Sequence, residues 1–239
     1  MSGGHRRSTV AGHLLLPALI AIGLFGERSK APSTNPVVCI DPGHPSEVSL
    51  GDERLNGTTE VHVAWTVAVK LRADLEARGI TVCMTKSKQD TLVRNRDRAE
   101  IANHAGASLL VRLHTDTGRD SGFVVYYPDR PGTAQGRTGP SDSVMAASAR
   151  AAKAVHAGMV ELLAGHLHDG GILGDSRTDI GGKQGALTGS IFSNVAVVTV
   201  EMAVLTHPSD AKFMESDAGV ALVADAIAGG VARYVTVDR

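Results

Sequence analysis

From Pro36 onward, short runs of β-branched and apolar residues alternate with longer stretches in which apolar side chains recur every three or four positions. That alternation is the pattern of βαβ units around a largely parallel sheet. The first run covers residues 37–41. In the helix expected over residues 59–78, Val63, Val67, Leu71 and Leu75 step at four-residue intervals, and Gly79 follows as a stop signal. A strand over 80–85, a helix over 94–105 and a strand over 108–113 come next, then a strand over 122–127 ended by Pro128. Residues 129–143 are rich in glycine, proline and polar side chains and read as a surface loop. A long alanine-rich helix over 144–166 precedes a second glycine-rich stretch, 169–189, with room for one short strand. Residues 195–200, Val-Ala-Val-Val-Thr-Val, are continuously apolar apart from one threonine, as expected of a strand covered on both faces. A helix over 217–234 closes the chain.

Composition narrows the class. With 239 residues and 43% hydrophobic content, the chain can bury one sizeable core. The net charge of −1 without a lysine or arginine run excludes the footprint of a nucleic-acid binder, and 3% aromatic content leaves few rings for stacking bases. The N-terminus is different: His5, Arg6 and Arg7 precede an apolar stretch from Leu14 to Phe25, the layout of a secretory signal. That stretch is about a dozen residues, short of the roughly 20 that span a bilayer as a helix, so export is expected rather than permanent anchoring. An uncleaved anchor remains the alternative. Residues 1–35 are therefore read as leader plus polar linker and 36–239 as one catalytic domain, expected to act as a monomer. Cys39 and Cys83 fall in separate strands and outside any zinc-ligand spacing. They are read as buried thiols in preference to a disulfide, which is conceivable if the two strands are neighbours but demands a particular spacing and orientation.

In an open α/β sheet, ligands bind where strands end and loops open. The first strand runs into Asp41-Pro42-Gly43-His44, the third into His114-Thr115-Asp116, and the late apolar strand into Glu201. Glu60 lies in the first turn of the first helix, behind Thr58 or Thr59 as N-cap, and faces the same rim. Zinc takes neutral imidazole and carboxylate ligands, and a catalytic site uses three of them, leaving the fourth position to water. His44, Glu60 and His114 make such a set. Glu201, directly after six residues of an apolar strand, would be costly to bury for structural reasons alone and is the candidate general base and acid.

The strings Ile40-Asp41-Pro42-Gly43-His44, Asn56-Gly57-Thr58-Thr59-Glu60, Arg94-x-Arg96 with Ala102-Asn103, Leu113-His114-Thr115-Asp116 and Val198-Thr199-Val200-Glu201, in that order, resemble the zinc-dependent N-acetylmuramoyl-L-alanine amidase family (type 3). The resemblance runs from about Val37 to Tyr234. It implies a single three-layer αβα sandwich with a mostly parallel twisted sheet. It also implies hydrolysis of the amide between the muramic acid lactyl group and L-alanine of peptidoglycan, with zinc on His44, Glu60 and His114 and with Glu201 catalytic. Pro45 stands where the family usually has a glycine, and Met202 to Pro208 replaces a glycine-aromatic pair and a Ser-Asn-Pro stretch. These departures bear on substrate contacts more than on metal binding. Two other readings compete: a zinc peptidase or amidohydrolase acting on another peptide, and a non-catalytic wall-binding protein on the same fold.

Asp41 and Asp116 are read as turn caps in preference to partners orienting the imidazoles, and Arg96 as half of a buried ion pair. His166, His168 and His207 are read as surface residues. The two glycine-rich loops follow strands, and one of them is expected to restrict access to the metal.

Overall fold

The computed structural model describes residues 1–4, 35–118 and 120–237. By its contacts the chain divides into two units, residues 1–34 and 35–239. Residues 1–4 carry no regular structure, and the leader reading over residues 5–25 lies outside the described residues.

The second unit is built on a six-stranded sheet in the order β2-β1-β3-β8-β4-β7. Its strands are β1 (Val37–Pro42), β2 (Thr81–Met84), β3 (Leu109–Asp116), β4 (Phe123–Tyr127), β7 (Asp169–Gly174) and β8 (Ala196–Val204). Only the β4–β8 pairing is antiparallel. Helices α1 (Glu60–Ala77), α3 (Asp142–Leu163) and α7 (Asp217–Val237) cover one face, while α2 (Asn95–His104) and the short α5 (Thr188–Ile191) lie on the other. This is the expected αβα sandwich. Further elements are a hairpin of β5 (Gly132–Ala134) and β6 (Arg137–Gly139), α4 (Asp179–Gln184) and α6 (Pro208–Glu215).

The period of two along each strand sorts side chains between two unlike layers. Val38, Ile40, Leu109, Val111, Leu113, Val198 and Val200 enter the large core beneath α1, α3 and α7. Cys39, Leu110 and Val197 face the other way, into a much smaller apolar cluster with Ala102 and Ala107. Residues 41, 112, 114, 199 and 201 share that second face, so the thinner layer receives the polar groups. Burying Leu71 and Leu75 of α1 alone is worth roughly 1.5–3 kcal/mol each, and the four-residue stripe picked from the sequence is the buried one. The α1 N-cap is Thr59, whose hydroxyl accepts from the His62 amide. Helix α7 is apolar and long enough to cross a bilayer, yet it packs in the core against α1 and α3. The α3–α7 crossing is close because Gly158 meets Gly230: a Cβ on Gly158 would stand 2.5 Å from the Ala226 carbonyl oxygen.

Several expectations need correction. Residues 129–143 are not a bare surface loop, since β5 and β6 pair within them and Gly132 is buried against Ala186 and Ile191. Strands β3 and β8 run further than their apolar runs suggest, so His114 and Glu201 are strand residues set opposite each other in register. Neighbouring strands supply the pairing that carries a polar residue into a sheet. Cys39 and Cys83 are register partners on β1 and β2 with Cα atoms 4.5 Å apart, and they form a disulfide rather than two free thiols. The edge position of β2 brought them together, which the strand pattern alone did not reveal.

Candidate metal centre

His44 follows β1 on a turn, Glu60 opens α1, and His114 projects from β3. Their potential ligand atoms all lie within 4.8 Å of one another, and only 11–18% of each side chain is exposed. Glu60 stands between the imidazoles: Oε2 is 3.1 Å from His44 Nε2 and Oε1 is 2.9 Å from His114 Nδ1. The Thr115 amide adds a donor to Oε1 at 3.3 Å. The other nitrogen of His44, Nδ1, is 3.0 Å from the Ser49 carbonyl, which fixes the tautomer that leaves Nε2 free to ligate. A glycine is required at position 43, because a Cβ there would come within 2.5 Å of His114 Cε1 and 2.7 Å of both His114 Nδ1 and the Leu113 oxygen.

Electrostatics suits the donor set to a cation. Burial pushes the Glu60 carboxyl up, but hydrogen bonds and charge from His114 and His44 outweigh it and bring the group down to about 2. Burial holds His114 below its ordinary value despite the same carboxylate. For His44 burial acts downward as well, yet Glu60 wins and the imidazole ends above its usual range. A divalent ion would take the place of that proton, since imidazole ligates only when neutral.

His44 and His114 line a cavity of about 640 Å³ together with Arg112, Thr199, Glu201 and Tyr126. Glu201 lies beside His114 across the β3–β8 pairing. Burial raises its carboxyl well above the ordinary value, and the charges of Glu60 and Asp116 push the same way, against Arg112. His114 Nε2, Thr199 Oγ1 and Glu201 Oε2 are buried without a hydrogen-bond partner. Each such atom costs about 1–3 kcal/mol in a finished fold, so three of them around one cavity mark a place built to receive something polar.

The match to known proteins is in keeping with this geometry. Residues 38–233 match the sequence profile of N-acetylmuramoyl-L-alanine amidases. The chain belongs to the N-acetylmuramoyl-L-alanine amidase family. It is 29% identical over 221 residues to the N-acetylmuramoyl-L-alanine amidase Rv3717 of Mycobacterium tuberculosis, covering 83% of this chain and 86% of that protein. It is 36% identical to AmiA of Escherichia coli over 89 residues, which span 37% of this chain and only 30% of AmiA. Its fold resembles the amidase AmiC2 of Nostoc punctiforme (TM-score 0.68, 22% identity, 84% of this chain and 97% of that one). It equally resembles Ami1 of Mycobacterium smegmatis (TM-score 0.68, 23% identity, 84% and 97% covered).

Within this amidase fold some residues take places the sequence did not indicate. Asp41 is neither a turn cap nor a partner of the imidazoles. It is fully buried, with Oδ1 accepting from Arg98 Nη1 and from Thr85 Oγ1 at 2.6 Å, and Oδ2 from Arg112 Nε at 3.0 Å. The buried arginine of α2 is thus Arg98, whereas Arg96 is exposed and lies over the Phe192 ring. Arg98 shares the inward face of α2 with Ala102 at i+4, and Arg112 interrupts an apolar strand as Glu201 does. Both signals are legible in the sequence. Asp116 ends β3 and lines the cavity, its Oδ1 accepting from the Thr117 amide at 2.6 Å. His207 pairs with Ser209 and Asp210 and is not among the cavity residues. Of the two glycine-rich stretches only the second borders the cavity, through Arg177 to Ile180, Gln184, Leu187 and Thr188.

Proposed function

We propose that the chain is an exported zinc amidase that cleaves the bond between N-acetylmuramic acid and the L-alanine of the peptidoglycan stem. The observation that carries the reading is the convergence of His44, Glu60 and His114 beside the unpartnered carboxyl of Glu201. Two imidazoles and a carboxylate fit zinc, and they leave a coordination position for water. Bound zinc would polarise the scissile carbonyl and make water acidic enough to attack at neutral pH.

The protein's own groups do the rest. Glu201 Oε2, buried and free of partners, takes the proton of the attacking water and returns it to the leaving amine nitrogen of alanine. A carboxyl of raised pKa holds the proton firmly enough to deliver it, and a cation on the neighbouring ligands would draw that pKa back down and leave the group ionised to accept the proton first. Glu60 stays ionised throughout, and Ser49 holds the His44 ring in its ligating tautomer. The Cys39–Cys83 disulfide supports export, since such bonds persist in oxidising compartments, and it agrees with the basic and apolar leader.

The decisive experiment measures zinc content and digestion products together, for wild type and Glu201→Gln. Wild type is expected to carry about one zinc and to release stem peptides with a free N-terminal alanine and an intact lactyl group. Glu201→Gln should keep its metal and lose about 10²–10⁴-fold in rate. Full activity in Glu201→Gln, or in protein stripped of metal, would refute the assignment. Cleavage at a different peptide bond would instead make the chain a zinc peptidase.

A further inference from the structure

His44 sits at φ 48°, in the left-handed region that a residue other than glycine seldom enters. The carbonyls around it show what holds it there. Pro42 O accepts from Arg98 Nη1 at 2.8 Å and Pro45 O from Arg98 Nη2 at 2.6 Å. Between them, Gly43 O accepts from Lys86 Nζ at 3.4 Å, and His44 O accepts from the same ammonium. Every carbonyl from Pro42 to Pro45 is therefore held by one of two cations.

Both cations are buried, Arg98 completely and Lys86 to within 4%. Each is also tied to a second segment: Lys86 to Gln89 O at 2.8 Å, Arg98 to Val93 O at 2.9 Å and to the Asp41 carboxylate. The planar fork of an arginine spans the two ends of the turn, while the compact ammonium with its three donors serves the middle. Among the described residues Lys86 pairs with no carboxylate; its donors go to backbone oxygens. Its ammonium also lies over the Trp65 ring, 5.8 Å from the centroid, and feels the charges of Asp41 and Asp90, but burying a cation with no hydrogen-bonded counter-ion is unfavourable, and an apolar side chain would fill the space at lower cost. The geometry that Lys86 enforces is what its presence contributes.

We propose that Lys86 and Arg98 are positioning residues that lock the turn from Pro42 to Pro45, so that His44 Nε2 faces Glu60 before any metal arrives. The inference rests on the reading of His44 as a metal ligand. It adds that the affinity of the site is set in part by residues that never touch the ion, because a ligand already held in place need not be ordered on binding.

The test has two arms. In the first, metal-free wild type, Lys86→Met and Arg72→Met are titrated with zinc against a chelator, with thermal unfolding measured on the same samples. Arg72 lines the same surface groove as Lys86 but among the described residues pairs only with Glu76, so it serves as the control. Lys86→Met is expected to remain folded and to bind zinc about 10–100-fold more weakly, with Arg72→Met unchanged. Zinc affinity within about twofold of wild type in folded Lys86→Met overturns the proposal. The second arm needs no variant. Hydrogen exchange of the Gly43 and Ser46 amides, bonded to Leu113 O and Ser49 O, is compared in metal-free and zinc-loaded wild type. Equal protection supports a preformed turn, and protection that appears only with zinc overturns it, even if Lys86→Met does not fold. Wild type that binds no zinc would strike the metal reading instead, and exchange in the metal-free protein would still judge the clamp: Gly43 and Ser46 amides that exchange as fast as those of an open loop overturn it.

Discussion

At position 43 the absence of one carbon atom is what allows the His114 ring to lie against the turn that carries His44. Gly43→Ala would press a methyl group on both the imidazole and the Leu113 carbonyl, so metal affinity is expected to fall at least about tenfold, as measured by chelator competition. Glu201 carries the opposite tension, a carboxyl held in a place that disfavours its charge. Its folded pKa lies above the ordinary value of 4.5, so the stability it contributes is present below about pH 4.5 and is lost as pH rises through the folded value. Metal-free Glu201→Gln should therefore melt higher than metal-free wild type near pH 8, and the gap should close near pH 4. A constant gap across that range would show that the carboxyl is not held neutral by its surroundings.

Among the elements, β2 joins the sheet at its edge and is stapled to β1 by Cys39–Cys83, which closes 44 residues of chain including all of α1. Cross-linking a loop of that size stabilises a fold by about 2–4 kcal/mol. Replacing both cysteines by alanine is expected to lower the denaturation midpoint accordingly while leaving zinc content unchanged, since neither cysteine is a ligand. The β5–β6 hairpin makes a second case. It packs on α4 and α5 and lines no part of the cavity, whereas residues 177–188 of the other glycine-rich stretch supply one wall of it. Hairpin and wall had looked alike in sequence because glycine and polar residues mark both a paired ribbon and a loop, and only the packing partner tells them apart.

Across the whole molecule, the Asp41 carboxylate ties β1, β3, α2 and the residue that follows β2 through Arg98, Arg112 and Thr85. Burial works against its charge, but the two guanidinium groups prevail and hold the carboxyl well below the usual carboxylate range. Its contribution is present above the unfolded value near 3.8 and is lost as pH falls toward the folded one. Denaturant titrations over a pH series should show wild type weakening below about pH 4. Asp41→Asn should be less stable by about 3–5 kcal/mol at neutral pH, with a flatter acid limb.

The apolar periodicity of residues 59–78, the continuous run at 195–200 and the alternation between them were enough to specify an α/β sandwich, because core burial is a property of spacing along the chain. The convergence of His44, Glu60 and His114 was also legible, since all three sit where an element begins or a strand reaches the sheet rim. What the chain alone left undecided was pairing: Cys39 with Cys83, Arg98 rather than Arg96 with Asp41, and Lys86 with the carbonyls of a turn more than forty positions away. Those choices depend on strand order and on which face of a helix meets the sheet. Both arise only when segments remote in sequence compete for the same neighbours.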